Sequence, residues 1–115
     1  MNIQQYGLRH SDLKDMVAVF NKYPPIQEAI LFGSRAKGTY KKGSDVDIAL
    51  LIVGDKNCKL LVSSELNEDT LMPYRFDILA LNDVDNLELL DHINRVGVVI
   101  YEKRNTHEQY AHKGG

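Results

Sequence analysis

Apolar residues recur at a helical period near the amino terminus. In segment 11–20 they follow the spacing i, i+3, i+4, i+7, which predicts a helix with one buried stripe. The residues of this stripe are Leu13, Met16, Val17 and Phe20. Ser11 stands at a favourable N-cap position, and the two prolines at 24–25 are expected to keep the helix from continuing.

Two more helices are predicted further along the chain. Segment 59–71 is rich in helix formers, although its apolar spacing is irregular. Segment 85–95 has a clearer apolar stripe, and Gly97 is expected to end that helix at its C′ position. A third, very short helical turn is predicted at 35–37.

Short apolar runs between turn residues predict four strands, at 27–32, 45–53, 75–81 and 98–101. The second strand is the most informative because its side chains divide into two sets. One set is wholly apolar and should pack on helices; it consists of Val46, Ile48, Leu50 and Ile52. The opposite set begins with Asp45 and Asp47, so the carboxylates share a face at one end of the strand.

The order of these elements predicts an α/β fold class in a single domain. The chain has 115 residues, of which 43% are hydrophobic, enough for one small core. We expect that core to span about 11–102 and to be followed by a loose polar tail at 103–115.

Charge, cysteine content and the length of apolar runs limit the expected binding partners and cellular location. Fourteen basic and sixteen acidic residues give a net charge of -2, so we expect no direct nucleic-acid binding. Cys58 is the only cysteine, which excludes an intrachain disulfide and fits a reduced, cytoplasmic location. The longest apolar run, Ile48 to Val53, is far shorter than the ~20 residues of a membrane span, so no membrane association is expected.

A Gly-Ser pair upstream of two aspartates carries the strongest chemical signal. Gly33 and Ser34 are followed by ten residues and then by Asp45-Val46-Asp47. Residues i and i+2 of a strand point to one face, so the two carboxylates can converge on a pair of divalent cations. The Gly-Ser turn can offer backbone N–H groups and a hydroxyl to phosphates, and a glycine lets the backbone come close to them.

A third carboxylate is predicted on the next strand, at Asp77. Hard cations such as Mg²⁺ prefer carboxylate oxygens, and two of them can assist transfer from a nucleoside triphosphate. In this hypothesis Asp45 and Asp47 hold both ions. Asp77 holds the ion that binds the acceptor hydroxyl, and it can take the proton of that hydroxyl.

Three other motifs match less well. The segment from Gly33 to Thr39 lacks the lysine that follows the second glycine of a P-loop. A calcium loop beginning at Asp45 would need a further oxygen ligand and a glycine where Ala49 and Leu50 stand. A D-x-D glycosyltransferase is conceivable, but such enzymes resemble larger domains than this chain can form.

The remaining polar residues give weaker signals. Arg35 lies beside the Gly-Ser turn with several lysines, and this cluster can contact phosphates or a partner, or the lysines can form a solvated loop. Arg35 itself is expected to be structural or to face a partner rather than to be catalytic. The four histidines have no metal-ligand spacing, so we predict that none is functional; they are His10, His92, His107 and His112.

The pattern Gly-Ser, ten residues, Asp-x-Asp and a later strand Asp resembles the DNA polymerase β-type nucleotidyltransferase superfamily. The short length is similar to that of minimal nucleotidyltransferases, the antitoxins that accompany HEPN-domain toxins. The resemblance covers about 27–100 and implies a small mixed β-sheet with helices packed on one face. It implies Mg²⁺-dependent transfer of AMP from ATP to a tyrosine hydroxyl of a HEPN toxin. The site residues it implies are Gly33, Ser34 and Arg35 for the nucleotide and Asp45, Asp47 and Asp77 for two Mg²⁺ ions and catalysis.

Two alternatives stay open from the sequence. The protein can be an antitoxin that neutralises its partner by binding alone, with the metal site as a relic. It can also be a nucleotidyltransferase that modifies a small molecule, although the chain has little room for the acceptor-binding elements that this activity normally needs.

Overall fold

A computed structural model describes residues 2–103 and shows one four-stranded mixed sheet. The strands are β1 (Ile26–Phe32), β2 (Val46–Ile52), β3 (Phe76–Ala80) and β4 (Val98–Glu102), in the order β3-β2-β1-β4. β1 runs antiparallel to β2 and β4, whereas β2 and β3 are parallel. All four predicted strands are confirmed, and no end differs from the prediction by more than one residue.

One helix precedes the first strand and three lie between successive strands: α1 (His10–Asn21), α2 (Gly33–Lys37), α3 (Cys58–Glu68) and α4 (Leu87–Val96). Two short 3-10 turns cover Ile3–Tyr6 and Leu81–Asp83. The predicted helices are therefore present, but the residues that begin or end several of them act differently from the sequence prediction.

The start of α1 is set by Asp12 rather than by Ser11. The carboxylate of Asp12 accepts a hydrogen bond from the backbone N–H of Arg9 and two from its guanidinium, so Arg9 is the N-cap. Asp12 is only 1% exposed, and it also accepts a hydrogen bond from the hydroxyl of Tyr74. Ser11 lies inside the first turn, and its predicted capping role is wrong.

α3 ends at Glu68, earlier than predicted, where polar side chains tie its last turn to β3 and bond one of its final carbonyls. The side chain of Asn67 accepts from the N–H of Phe76 and donates to its carbonyl, at 2.8 and 3.0 Å. The hydroxyl of Thr70 donates to the carbonyl of Leu66 at 2.9 Å. Leu71, predicted as the last helical residue, is instead fully exposed.

Gly97 follows α4 for a reason other than a left-handed C′ conformation. Its φ is -61°, which any residue can adopt. A Cβ at this position would overlap the carbonyl oxygen of Ile93 and come within 2.7 Å of Cγ2 of Ile30. Glycine is required here because α4 turns closely against the sheet.

The apolar core lies mainly on one face of the sheet. The predicted set Val46, Ile48, Leu50 and Ile52 is fully buried there against α1 and α3. Ile3 and Leu8 belong to the same cluster, so the core begins upstream of the predicted boundary at residue 11.

The opposite face of the sheet carries a smaller apolar cluster. Its buried members are Phe32, Ala49 and Ile93, and Ile93 comes from α4. The mixed α/β class is confirmed, whereas the expectation that all helices share one face is corrected for α4. This helix covers part of the face on which Asp47 lies.

The ends of the described region also bear on the predictions. Glu102 belongs to β4, and Lys103 bonds to the carbonyl of Gln27, so the predicted loose tail does not begin at 103. The rest of that tail lies outside the described residues. Within 2–103, no helix combines the length and apolar character needed to cross a membrane.

Candidate active site

Strand register places two of the predicted carboxylates beside each other. Asp47 of β2 and Asp77 of β3 are direct partners in the parallel pairing, so their side chains point to the same face of the sheet. On its other side, Asp47 is paired with Phe32, the last residue of β1. The Gly33–Ser34 turn follows at once, and the sheet thereby brings the turn and both aspartates to one end.

Asp45 lies immediately before β2 rather than within it. It is half-buried in the loop that leads into the strand. Its negative charge acts on Asp47, because it contributes to the raised pKa of that residue. The structure therefore brings Asp45, Asp47 and Asp77 into one electrostatic cluster.

Asp47 is the most perturbed acid of this cluster. The pKa of Asp47 is raised from 3.8 to about 6, mainly by burial and then by the negative charges of Asp77 and Asp45. The positive charge of Arg35 acts in the opposite direction. A carboxylate that is held against two like charges favours either a proton or a cation.

Gly33 is required by its contact with Asp47. Its φ is +75°, in the left-handed region that favours glycine. A Cβ on Gly33 would overlap Oδ2 of Asp47, so the carboxylate packs directly against the α-carbon. The sequence indicated that a side chain here would obstruct a phosphate; the structure shows that it would first displace a site carboxylate.

Ser34 occupies the second position of α2 and is half-buried. Its carbonyl accepts a hydrogen bond from the N–H of Thr39 at 3.0 Å, which closes the short helix. Gly38, with φ of +84°, ends α2 as predicted. Ser34 therefore lies beside Gly33 at the end of β1, as the motif requires.

Arg35 stabilises the fold instead of facing the site. Its guanidinium donates hydrogen bonds to the carbonyls of Tyr6, Gly7 and Ser44, at 3.0, 3.2 and 2.9 Å. The rings of Tyr40 and Tyr74 lie 5.3 and 5.1 Å from its central carbon, within cation–π range. Arg35 is 3% exposed. Its guanidinium is thus held by the fold and acts on Asp47 through its charge, while its contact with a nucleotide stays a prediction.

His92 lies at the site although the sequence analysis predicted no function for it. The N–H of Gly33 donates a hydrogen bond to Nε2 of His92 at 3.1 Å. His92 comes from α4, 59 residues further along the chain. A weak signal was present in the sequence: His92 follows Leu89 by three residues, which places it toward the buried side of the predicted helix.

The site fits a hard cation in its chemistry. Three carboxylates are grouped here, and among residues 2–103 no hydrogen-bond donor or cationic side chain is bonded to any of them. Across the same residues, no three His, Cys, Asp or Glu side chains already converge as ligands of a metal ion. The donor type and the uncompensated charge therefore suit Mg²⁺, while the side chains would have to adjust around it.

A cavity of about 390 Å³ opens beside Asp77. It lies between α3 and the outer edge of β3, and it is lined by Ser63, Asn67, Arg75, Phe76, Asp77 and Ile78. Arg75 and Asp77 are both exposed. An acceptor group can therefore approach Asp77 from the side away from the Gly33–Ser34 turn.

Known proteins share this sequence pattern. A family model described as "Polymerase beta, Nucleotidyltransferase" matches residues 14–106. The chain is 32% identical over 110 residues to a Haemophilus influenzae protein named "Probable protein adenylyltransferase MntA". The match covers 91% of this chain and 92% of that relative.

Solved structures share the fold. A toxin–antitoxin crystal structure with AMP-PNP superposes with a TM-score of 0.64 at 22% identity, over 92% of this chain and 83% of the other. A complex of tri-AMPylated HEPN toxin with MNT antitoxin from Shewanella oneidensis gives a TM-score of 0.63 at 18% identity, over 92% and 82%. These structures show a common fold, and the family match over residues 14–106 together with the 32% identical relative shows that the chain is a nucleotidyltransferase and belongs to the polymerase β-type nucleotidyltransferase family.

Proposed function

We propose that this nucleotidyltransferase moves AMP from ATP to a hydroxyl group of a HEPN-domain toxin and thereby acts as its antitoxin in the cytoplasm. The name of the Haemophilus relative and the AMPylated toxin in the Shewanella complex support this proposal. The proposed acceptor is a tyrosine side chain of the partner, since a phenol can enter the open cavity beside Asp77.

The observation that carries the proposal is the contact of three groups at one end of the sheet. Asp47 and Asp77 are neighbours in register, and Gly33 packs against the carboxylate of Asp47. Carboxylates grouped in this way suit a reaction in which divalent cations must be held between the protein and a triphosphate.

Each residue then has a role in the proposed reaction. Asp45 and Asp47 would hold two Mg²⁺ ions, and Asp77 would share one of them. Bound Mg²⁺ supplies charge neutralisation of the triphosphate. Gly33 and Ser34 would place the turn against the phosphates, with Ser34 offering its N–H and hydroxyl.

The proposed transfer replaces one phosphorus–oxygen bond of ATP with another. The acceptor oxygen forms a bond to the α-phosphorus of ATP, and the bond from that phosphorus to the bridging oxygen of pyrophosphate breaks. Asp77 accepts the proton of the acceptor hydroxyl, because it borders the cavity through which the acceptor enters. Pyrophosphate leaves on the side of the Gly33–Ser34 turn.

Mass spectrometry of the partner tests the proposal. The purified protein is mixed with a HEPN-domain toxin from the same genome, ATP and Mg²⁺, and the intact toxin is weighed. We expect the toxin to gain adenylate with the wild type and with Asp15→Asn, which changes an exposed carboxylate of α1. No gain is expected with Asp47→Ala or Asp77→Ala.

Two outcomes would contradict the proposal. A toxin of unchanged mass in the presence of the wild type would exclude the transfer. Toxin neutralisation that survives in Asp45→Ala and Asp47→Ala would instead show that the antitoxin acts by binding.

A further inference from the structure

We propose that His92 is a positioning residue of the transfer reaction: it holds the Gly33 peptide and thereby orients the carboxylate of Asp47. The inference rests on the proposed function, in which Asp47 helps to hold Mg²⁺. It gives a role to a side chain of α4 that has no place in the Gly-Ser and Asp-x-Asp motif.

A continuous path of contacts connects His92 to Asp47. Nε2 of His92 accepts the N–H of Gly33 at 3.1 Å, and the α-carbon of Gly33 packs against Oδ2 of Asp47. Because the φ of Gly33 is +75°, a conformation that is readily left by a glycine, its peptide needs an external contact to stay in place. The hydrogen bond to His92 supplies such a contact.

His92 is itself held in place. Its ring meets the ring of Phe32 edge to face, with centroids 6.2 Å apart. The neighbouring residue Ile93 is buried in the small cluster between α4 and the sheet, and Leu89 packs against that cluster. The imidazole therefore fixes the turn relative to α4 with little freedom of its own.

The hydrogen bond also defines the chemical form of His92. An imidazole nitrogen can accept a hydrogen bond only through a free lone pair, so Nε2 carries no proton and Nδ1 carries one. The N–H of Gly33 is occupied by this bond. The phosphates would then contact the N–H and hydroxyl of Ser34, while Gly33 serves the contact with Asp47.

Three substitutions separate the acceptor from the ring. His92→Gln places an amide oxygen near the position of Nε2, whereas His92→Asn offers the same group closer to the backbone, near the position of Nδ1. His92→Phe keeps the edge-to-face contact with Phe32 but removes the acceptor. Gln and Asn form a matched pair that differs in reach by one methylene.

Steady-state kinetics of adenylate transfer to the HEPN toxin give the first measurement. We expect kcat to fall about 10–100-fold in His92→Phe and His92→Asn, the usual effect of losing a partner that orients a metal-binding group. KM for ATP should change less than kcat, and His92→Gln should recover most of the wild-type kcat. Wild-type kcat in His92→Phe, or equal losses in Gln and Asn, would overturn the inference.

Nuclear magnetic resonance gives a second measurement that needs neither partner nor ATP. We expect a scalar coupling across the hydrogen bond between the backbone ¹⁵N of Gly33 and Nε2 of His92. The carboxyl ¹³C resonance of Asp47 should shift in His92→Phe and return toward its wild-type position in His92→Gln. If the carboxyl resonance of Asp47 does not shift in His92→Phe, the positioning role is refuted even if the enzyme transfers AMP. Absence of transfer by the wild type would refute the proposed function instead, and the resonances would still decide the role of His92.

Discussion

Asp47→Asn is expected to abolish adenylate transfer and to make the metal-free protein more stable at neutral pH. The carboxylate of Asp47 lies in a half-buried position beside Asp77 and Asp45, so its negative charge is unfavourable in the folded state. Asparagine has nearly the same shape but no charge. The substitution therefore removes an electrostatic penalty that the proposed metal ions would otherwise relieve.

The size of this effect follows from the pKa of Asp47. Its rise from 3.8 to about 6 is a difference of about 2 units, and each unit corresponds to about 1.4 kcal/mol, which sets an upper bound of about 3 kcal/mol. Asp47 is only half-buried, so water screens part of the repulsion. We expect Asp47→Asn to raise the free energy of unfolding by about 1–2 kcal/mol at about pH 7.5.

The pH dependence has a defined sign. Because the pKa of Asp47 is higher in the folded state than in the unfolded chain, folding favours the protonated form. Stability of the wild type is therefore lost as the pH rises through about 6. The advantage of Asp47→Asn should be greatest above about pH 7 and should vanish below about pH 4, where the carboxyl group is protonated in both states.

Urea unfolding followed by circular dichroism, in the presence of a chelator, measures this difference. Asp15→Asn is the control because it removes the same charge from an exposed position on α1, and its effect should stay within about 0.5 kcal/mol. Added Mg²⁺ should stabilise the wild type more than Asp47→Asn. A loss of stability in Asp47→Asn at about pH 7.5, or a gain that is the same at all pH values, would refute the reasoning.

Three further predictions concern the residues around this site. Gly33→Ala should abolish transfer and lower the free energy of unfolding by about 2 kcal/mol or more, because a Cβ there overlaps Asp47. Gly38 also has a positive φ, but a Cβ there meets no atom within 4 Å, so Gly38→Ala should lower the free energy of unfolding by only about 1 kcal/mol. Equal losses in the two variants in unfolding experiments would contradict this. Arg35→Lys should lower the free energy of unfolding by about 2–4 kcal/mol in the same assay, because one ammonium group cannot replace the three hydrogen bonds of the guanidinium. A variant as stable as the wild type would show that these bonds are dispensable. Burial raises the pKa of Asp12, but hydrogen bonds from Arg9 and Tyr74 outweigh burial and lower the pKa overall, so the carboxylate stabilises the fold at neutral pH and ceases to do so on acidification. In urea titrations, Asp12→Asn should lower the free energy of unfolding by about 1–3 kcal/mol at neutral pH and by less below about pH 4. A loss that grows on acidification would contradict this prediction.

The sheet could be predicted from the sequence because its strands follow simple local rules. In β2 one face is wholly apolar and the other begins with Asp47, so the face of each side chain could be assigned without knowledge of the neighbouring strands. The pairing of Asp47 with Asp77 needs, in addition, that β2 and β3 are adjacent, parallel and in this register. Those two facts account for most of the candidate site.

The contacts of Arg35 and His92 could not be predicted because they depend on distant segments. The guanidinium of Arg35 bonds to Tyr6 and Gly7 almost thirty residues before it, and no local pattern indicates that pairing. His92 meets Gly33 only because α4 packs on the opposite face from α1 and α3. An amphipathic stripe indicates that a helix is buried on one side, but it does not indicate which face of the sheet receives it.

The hydrogen bonds of Arg35 connect the segment 3–7 to the loop that precedes β2. Ile3 of the 3-10 turn at Ile3–Tyr6 is fully buried in the core. The carbonyls of Tyr6 and Gly7, at the end of this turn, bond to the guanidinium of Arg35, which also bonds to the carbonyl of Ser44, one residue before Asp45. Deleting this segment, or displacing it with a bulky amino-terminal fusion, would remove bonds that hold the loop before Asp45 in place. Recombinant versions should therefore carry their affinity tags at the other end if their activity is to be judged fairly.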